Sequence, residues 1–266
     1  MITLATDFGS PYPAAMKGVI LNESDARLVD VAHDLPRQDV RAAAFWLREV
    51  LPWFPPAVHL AVVDPGVGTD RAAVVARAGG HALVGPDNGV LVPAARKLAG
   101  GGAVEWFAID EDAAEVPRPA AGEAAEPRRR SNTFHGRDVF APAAAAVHEA
   151  GVADLGSLDR LTPVDGVKDL TFPDPTVEDD AVVGEVLVVD GFGNAITNVP
   201  GDVVAALDAV TVNGQSVPVG ETFAAVPEGQ WLVTVGSHGN VELDVNRGRG
   251  DEAFGVEPGD AVRLEL

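Results

Sequence analysis

The pattern of apolar residues changes once along this chain, and the change divides it into two parts. Up to residue 171, apolar runs with strand character alternate with segments of helical spacing, such as residues 39–54. From residue 181 onward the strands are short and alternating, and glycine and asparagine separate them. The first pattern predicts an α/β domain with a largely parallel sheet, and the second predicts a small all-β barrel domain.

Two segments lack either pattern. Residues 108–130 are rich in alanine, glutamate and proline, which predicts an exposed insertion loop within the first domain. Residues 172–180 contain prolines and acidic residues and are predicted to be a linker. The sequence therefore predicts an α/β domain over residues 1–171 and a barrel over residues 181–266.

The charge of the chain restricts the partners that it can bind. Asp and Glu number 40 against 19 Lys and Arg, for a net charge of −21. Such a surface repels nucleic acids and anionic membranes, so neither is expected as a partner. Salt screens the self-repulsion of so many acidic groups, and the composition therefore suggests a halophilic protein. The start of the chain has neither a basic region nor an apolar signal core, which predicts a cytoplasmic location.

Five short motifs place polar side chains where predicted strands or turns end. Ligands of open α/β sheets bind beyond the carboxyl ends of the strands, so such positions are candidates for a site. The motifs are TDFGS at 6–10, VVDPGVGTDR at 62–71, GPDNG at 85–89, SNTFHGRD at 131–138 and DGFGNAITN at 190–198.

Each motif has a functional and a structural interpretation. Asp7 could bind the hydroxyls of a ribose, or cap the turn that follows it. Asp64 and Arg71 could form part of a site, or a surface ion pair across a tight turn. His135 could be an ordinary hydrogen-bonded residue at the start of a helix, or, beside Asp64 and Arg71, part of a site that activates water.

The remaining motifs also allow both a functional and a structural interpretation. Pro-Asp-Asn-Gly is a strong turn sequence, so a structural role is favoured there, with Asp87 or Asn88 as supporting residues. Phe192 could stack on a purine while Asn194 binds a base edge, or both could belong to a glycine-rich hairpin. The absence of cysteine excludes disulfides and thiolate metal sites.

Taken together, and with GSHGNVELDVNRG at residues 236–248, the motifs resemble the S-adenosyl-L-methionine (SAM) hydroxide adenosyltransferases. These adenosine-forming SAM hydrolases are related to the fluorinase and the chlorinase. The resemblance covers nearly the whole chain except residues 108–130. It implies an N-terminal α/β domain, a C-terminal β-barrel and a homotrimer with SAM sites at subunit interfaces. It also implies that SAM is the substrate and that neither a cofactor nor a metal is needed.

The resemblance implies a role for individual residues. Asp64, Arg71 and His135 match the residues that hold the attacking water, where Asp64 and His135 would orient it and accept its proton. Asp7 matches the residue that binds the ribose hydroxyls, and Asp190 the one that faces the methionine ammonium. The other residues of the implied substrate site are Ser10, Trp46, Phe134, Gly136, Phe192, Asn194, Ser237, His238 and Asn246.

Two positions bear on the chemistry that the resemblance implies. The halogenases carry a tyrosine where this chain has Asp64, and a carboxylate there favours water over a halide. They present an arginine near the methionine carboxylate where this chain has His238, so the partner of that carboxylate stays open. Arg137 and Asp138 are predicted to form a structural ion pair.

Three alternatives remain at this point. The first is a SAM-dependent halogenase. The second is a metal-dependent phosphoesterase with Asp7, Asp64, Asp87 and His135 as ligands, although Arg71 would compete with the metal. The third is a non-catalytic protein that binds SAM or a nucleoside.

Overall fold

The computed structural model describes residues 1–111 and 131–266, which divide into two compact units, Met1–Thr171 and Phe172–Leu266. The predicted insertion loop lies mostly outside the described residues. Its predicted start is wrong by two residues, because Ala108 and Ile109 still belong to a strand. Their apolar character is that of a strand end, whereas the Ala- and Glu-rich composition begins after them.

The first unit is an α/β domain, as predicted. Its strands are β1 (Ile2–Thr6), β2 (Leu28–Ala32), β3 (Val58–Val62), β4 (Ala73–Ala78), β5 (His81–Pro86), β6 (Val104–Ile109) and β7 (Leu161–Val164). Its helices are α1 (Tyr12–Glu23), α2 (Val40–Val50), α3 (Val92–Ala99) and α4 (Ala141–Ala150). The strand order is β2-β1-β3-β5-β4-β6-β7.

The sheet of the first unit is mixed. Strands β2, β1, β3 and β5 are parallel neighbours, while β4, β6 and β7 add an antiparallel half. The antiparallel half begins with the β4–β5 hairpin, which turns at Gly79 and Gly80, where Gly79 has a φ of +58°. The Pro-Asp-Asn-Gly sequence instead follows β5 and leads to α3. The chain bends at residues 87–89, as this turn sequence predicts.

Burial explains why the parallel strands occupy the centre of the sheet. All five residues of β1 and of β3 are buried, as expected for strands that are covered on both faces. Helix α2 begins after Asp39, whose side chain accepts a hydrogen bond from the Ala42 amide at 2.9 Å and caps the helix. Helix α4 is followed by Gly151, which has a φ of +84°.

The second unit is an antiparallel barrel. Its strands are β8 (Thr176–Val177), β9 (Ala181–Val189), β10 (Ala195–Pro200), β11 (Ala209–Val212), β12 (Gln215–Pro218), β13 (Trp231–Val235), β14 (Asn240–Val245) and β15 (Ala261–Glu265), with helix α5 at Gly250–Phe254. The order is β12-β11-β15-β9-β10-β14-β13. A bridge between Val219 and Val233 brings the two ends together and nearly closes the barrel.

One strand lies inside the predicted linker. Thr176 and Val177 of β8 pair with β9, so residues 172–180 are partly sheet. A strand of two exposed residues is too short to show an alternating pattern, which is why the sequence did not predict it. Among the described residues, no helix has both the length and the apolar character that a membrane crossing requires.

The order of the parallel strands brings three acidic residues to one edge of the first sheet. Strand β3 lies between β1 and β5, with Thr6 opposite Val62. Asp7, Asp64 and Asp87 follow these three strands at their carboxyl ends. This edge is where an open α/β sheet binds its ligands.

A buried histidine predicts how the stability of the protein depends on pH. His59 is 1% exposed, and its ring is 2.8 Å from Thr3 Oγ1 and 2.9 Å from the His81 ring. Burial, and then the charge of His81, lower the pKa of His59 from 6.5 to about 3. The folded state therefore resists protonation at this ring. We expect its contribution to the free energy of unfolding to be complete above about pH 6.5 and to fall by up to about 1.4 kcal/mol per pH unit below it.

Denaturant unfolding of the wild type and of His59→Gln between about pH 7 and pH 4 measures this contribution. The variant should lose less stability per pH unit than the wild type. Equal slopes in the two proteins would contradict the assignment.

Candidate active site

An ion pair between Asp64 and Arg71 lies at the carboxyl edge of the sheet. Arg71 Nε is 3.0 Å from each Asp64 carboxylate oxygen, and Nη2 is 2.6 Å from Oδ2. The side chains are only 5% and 9% exposed, so little water competes for these contacts. A bidentate guanidinium–carboxylate pair is strong and fixed in orientation, particularly where water is excluded.

His135 completes a cluster with this pair. Its Nδ1 is 2.8 Å from Arg71 Nη2, and its side chain is 6% exposed. A guanidinium only donates hydrogen bonds, so Nδ1 must accept and carries no hydrogen. The hydrogen of the neutral ring is then on Nε2. The structure thus brings Asp64, Arg71 and His135 together, and it indicates that Nε2 of His135 is a donor.

Glycines allow the loop between Asp64 and Arg71 to fold back on itself. A Cβ on Gly66 would be 3.3 Å from Arg71 Cγ. Gly68 has a φ of +79°, and a Cβ there would be 2.5 Å from the carbonyl oxygen of Asn132. The loop therefore packs directly against the segment that leads to His135, which only a glycine at position 68 permits.

The turn before His135 is held by a buried acid. Asp138 is 0% exposed and accepts hydrogen bonds from the Ser131 amide at 2.8 Å and from Arg137 Nη2 at 2.7 Å. The hydrogen bond to Asp138 raises the pKa of Arg137, whose guanidinium also lies 5.1 Å from the centre of the Phe134 ring. The prediction of a structural ion pair for Arg137 and Asp138 is confirmed.

Aromatic rings surround Phe134. Its ring centre is 6.1 Å from that of Phe8 and 5.5 Å from that of Tyr12, in edge-to-face arrangements. Tyr12 is 56% exposed and was not among the predicted site residues. A Cβ on Gly136 would lie 3.1 Å from Met16 Sδ and 3.3 Å from Phe134, so close packing is one reason for a glycine there.

The other residues of the first unit that are predicted to bind substrate lie in the loop after β1 and on helix α2. Asp7 Oδ2 accepts a hydrogen bond of 2.7 Å from the amide of Gln38, which has a φ of +60°. Ser10 is exposed in the loop after β1. Trp46 is half-buried on α2, with its ring centre 5.2 Å from that of Phe45.

Asp190 organises the glycine-rich loop of the second unit. Its Oδ1 accepts hydrogen bonds from the amides of Phe192 at 2.8 Å and Asn194 at 2.9 Å. Its Oδ2 accepts a third from Asn194 Nδ2 at 3.1 Å. The loop leaves the Phe192 side chain 82% exposed while Asn194 is buried. The structural interpretation of this motif thus holds, and it leaves an aromatic ring free to stack on a ligand.

Of the predicted residues near the end of the chain, Ser237 and His238 lie in the turn between β13 and β14, and Asn246 lies at the opposite end of β14. Ser237 is exposed, and His238 Nδ1 is 3.4 Å from Glu242 Oε1. Asn246 follows β14, and its side chain donates to the Val226 carbonyl at 2.7 Å. Asn246 therefore anchors a neighbouring loop.

Two buried acids on β14 were not predicted. Glu242 is 6% exposed and Asp244 is 0% exposed. Burial raises the pKa of Asp244 to about 7, although Thr234 Oγ1 donates to it at 2.6 Å, and the charges of Glu242 and Asp190 act in the same direction as burial. Alternation of ELDV along the strand places these acids on the face opposite to the apolar residues, which is the signal that could have identified them.

A further residue at the cluster was missed. Glu111 Oε1 is 3.3 Å from Arg71 Nη1, and its Oε2 is 3.8 Å from His135 Nδ1. Its neighbours in the sequence are low in complexity and predict an insertion loop, so nothing local marks Glu111 as a site residue.

Two of the acidic residues that the metal-site alternative requires, Asp64 and Asp87, are hydrogen-bonded to other groups of the protein. Asp87 Oδ1 accepts from the Lys168 amide at 2.7 Å, and Asp64 is engaged by Arg71. Within residues 1–111 and 131–266, no three histidine or acidic side chains form a group that could hold a metal ion. Asn88 donates to the Val63 carbonyl at 2.8 Å, so the Pro-Asp-Asn-Gly turn supports the end of β3.

Two sequence profiles of known protein domains match this chain. The sequence profile of the SAM hydroxide adenosyltransferase N-terminal domain matches residues 2–156, and that of the C-terminal domain matches residues 184–263. A protein of Salinispora tropica named (R)-S-adenosyl-L-methionine hydrolase is 40% identical over 271 residues, which cover 99% of this chain and 97% of that protein. A protein of the same name from Thermus thermophilus is 42% identical over 275 residues and covers 97% of both chains.

Two crystal structures have similar folds. A conserved protein from Thermotoga maritima aligns with a TM-score of 0.82 and 33% identity, over 100% of both chains. A conserved protein from Thermus thermophilus aligns with a TM-score of 0.74 and 38% identity, over 99% of this chain and 98% of the other.

The close approach of Gly68 to Asn132 gives a test of the loop geometry. An alanine in the left-handed region costs roughly 1–2 kcal/mol. We expect Gly68→Ala to lower the free energy of unfolding of the first unit by more than this, because the methyl group also meets a carbonyl oxygen. Gly101→Ala is the matched control, since Gly101 has a φ of +88° and nothing within 4 Å of its Cβ position. Denaturant unfolding measures both variants, and equal losses would contradict the close packing.

Proposed function

Because this chain belongs to the SAM hydroxide adenosyltransferase family, we propose that it hydrolyses S-adenosyl-L-methionine to adenosine and L-methionine. The observation that carries the proposal is the cluster of Asp64, Arg71 and His135, held together by hydrogen bonds of 2.6–3.0 Å. The names of the relatives in Salinispora tropica and Thermus thermophilus support the choice of substrate.

The chemistry of SAM explains why such a cluster is sufficient. The oxygen of water attacks the 5′ carbon of the ribose and forms a C–O bond as the C–S bond breaks. The electron pair of the broken bond stays on sulfur, so the positive sulfonium leaves as a neutral thioether, methionine. The leaving group needs no proton, and only the water must be oriented and deprotonated. Holding it in line with the C–S bond can contribute several kcal/mol, about 7–11 at best.

The three residues divide this task between them. Since Nδ1 of His135 accepts from Arg71, Nε2–H is the group of this ring that would donate to the water oxygen and orient it. Asp64 is then the acceptor of the water proton. This refines the expectation that both residues accept it. Arg71 stabilises the hydroxide-like oxygen by its charge in a site with little water.

The substrate contacts extend over both units. We assign Asp7 to the ribose hydroxyls, Asp190 to the methionine ammonium, and Phe192 and Asn194 to adenine. The exposed ring of Phe192 supports the stacking role. The remaining contacts are assigned to Ser10, Trp46, Phe134, Gly136, Ser237, His238 and Asn246. The reaction as written uses neither a cofactor nor a metal.

The assembly and setting are part of the same proposal. The active enzyme is a homotrimer in which the N-terminal unit of one chain and the C-terminal unit of another form each site. The net charge of −21 supports a halophilic protein that works in a salt-rich cytoplasm, where salt screens its self-repulsion.

Product analysis tests the reaction directly. We expect the protein, incubated with SAM in concentrated potassium chloride with a chelator present, to release adenosine and methionine in equal amounts. Asp64→Asn should lower kcat by a factor of about 10²–10⁴, because it removes the proton acceptor. Asp70→Asn, in the same loop but exposed, is the control and should keep wild-type turnover.

The other outcomes identify the competing functions. A 5′-chloro nucleoside would show a halogenase. Turnover that the chelator abolishes would show a metal-dependent enzyme, and SAM that binds without reacting would show a binding protein.

Light scattering tests the assembly. We expect a mass three times that of the 27.5 kDa chain, and we expect Phe192→Ala to raise KM for SAM without changing that mass. A monomer with full activity would contradict the interface site.

A further inference from the structure

Glu111 lies beside the proposed catalytic residues although it belongs to none of the sequence motifs. It follows the end of β6 by two residues, and its side chain is 20% exposed. Its carboxylate spans the cluster, with Oε1 3.3 Å from Arg71 Nη1 and Oε2 3.8 Å from His135 Nδ1. A residue close to both Arg71 and His135 can influence how each of them is oriented.

The guanidinium of Arg71 is held along two of its edges. Nε and Nη2 donate to Asp64, and Nη2 also contacts His135 Nδ1. Nη1 faces Glu111 Oε1 at 3.3 Å and the Ala72 carbonyl at 3.4 Å. Because the guanidinium is planar, a contact at Nη1 also restricts where Nη2 can lie.

The position of Nη2 determines the tautomer of His135. While Nη2 donates to Nδ1, the ring must carry its hydrogen on Nε2. If Arg71 withdrew, Nδ1 would be free to take the hydrogen, and Nε2 would change from a donor to an acceptor. The ring could then no longer donate to the attacking water.

We propose that Glu111 is a positioning residue that holds Nη1 of Arg71, keeps Nη2 on His135 Nδ1, and thereby fixes the Nε2–H tautomer of His135. Its significance for catalysis rests on the proposed SAM hydrolysis. Its effect on the tautomer does not, because the contacts exist in the protein without substrate.

Three variants distinguish the hydrogen bond that Glu111 accepts from Arg71 from the effect of its negative charge. Glu111→Ala removes both and should lower kcat by a factor of about 10–100 while KM for SAM changes little. Glu111→Gln keeps an oxygen acceptor for Nη1 and should retain kcat within about threefold. Glu105→Ala is the matched control, because Glu105 lies on β6 and pairs with Arg77 at the surface.

The tautomer is measured by ¹⁵N NMR of the histidine rings, with His135 assigned from its absence in His135→Asn. We expect the Nε2–H signature in the wild type, in Glu105→Ala and in Glu111→Gln, and a mixture of tautomers in Glu111→Ala. An unchanged tautomer in Glu111→Ala would overturn the proposal, whether or not kcat falls. If the wild type does not hydrolyse SAM, the proposed function fails, and the NMR comparison still tests the role of Glu111.

Discussion

The buried ion pair between Asp64 and Arg71 is the interaction on which the arrangement of the first unit's site depends. A buried charge is costly unless it is paired, so each of these groups requires the other at a fixed place. This pairing requires strand β3, which ends two residues before Asp64, and a loop with Gly66 and Gly68 that brings Arg71 back to the carboxylate. Arg71 of this pair also donates a hydrogen bond to Nδ1 of His135, so the orientation of the histidine ring depends on the ion pair.

How well the site can be predicted from the sequence depends on how many positions separate its interacting residues along the chain. Asp64 and Arg71 could be predicted as a pair because seven positions separate them and the strand before them is apolar. Glu111 could not, since its contact with Arg71 spans 40 positions and its local sequence is typical of a loop. The extent of the antiparallel half of the sheet could not be predicted for a similar reason. Whether β4 pairs in parallel depends on its neighbours, and its own apolar residues do not reveal them.

Several residues predicted to contact substrate also hold their own loops. Asp7 binds the Gln38 amide, Asp190 binds two amides of its own turn, and Asn246 anchors the Val226 carbonyl. The structural and functional interpretations of these motifs are therefore compatible. A side chain whose position is already fixed by the backbone loses less conformational entropy when a ligand binds, and this raises affinity without adding a contact.

The long-range contact between Arg71 and His135 has a consequence for the synthesis of the chain. The two residues are 64 positions apart, and the carbonyl against which Gly68 packs belongs to Asn132. A nascent chain that ends before residue 131 thus contains Asp64 and Arg71 but not His135, the histidine that Arg71 contacts. The cluster can form only after the ribosome has released most of the first unit. Assembly of the cluster is therefore a late event in the folding of the first unit.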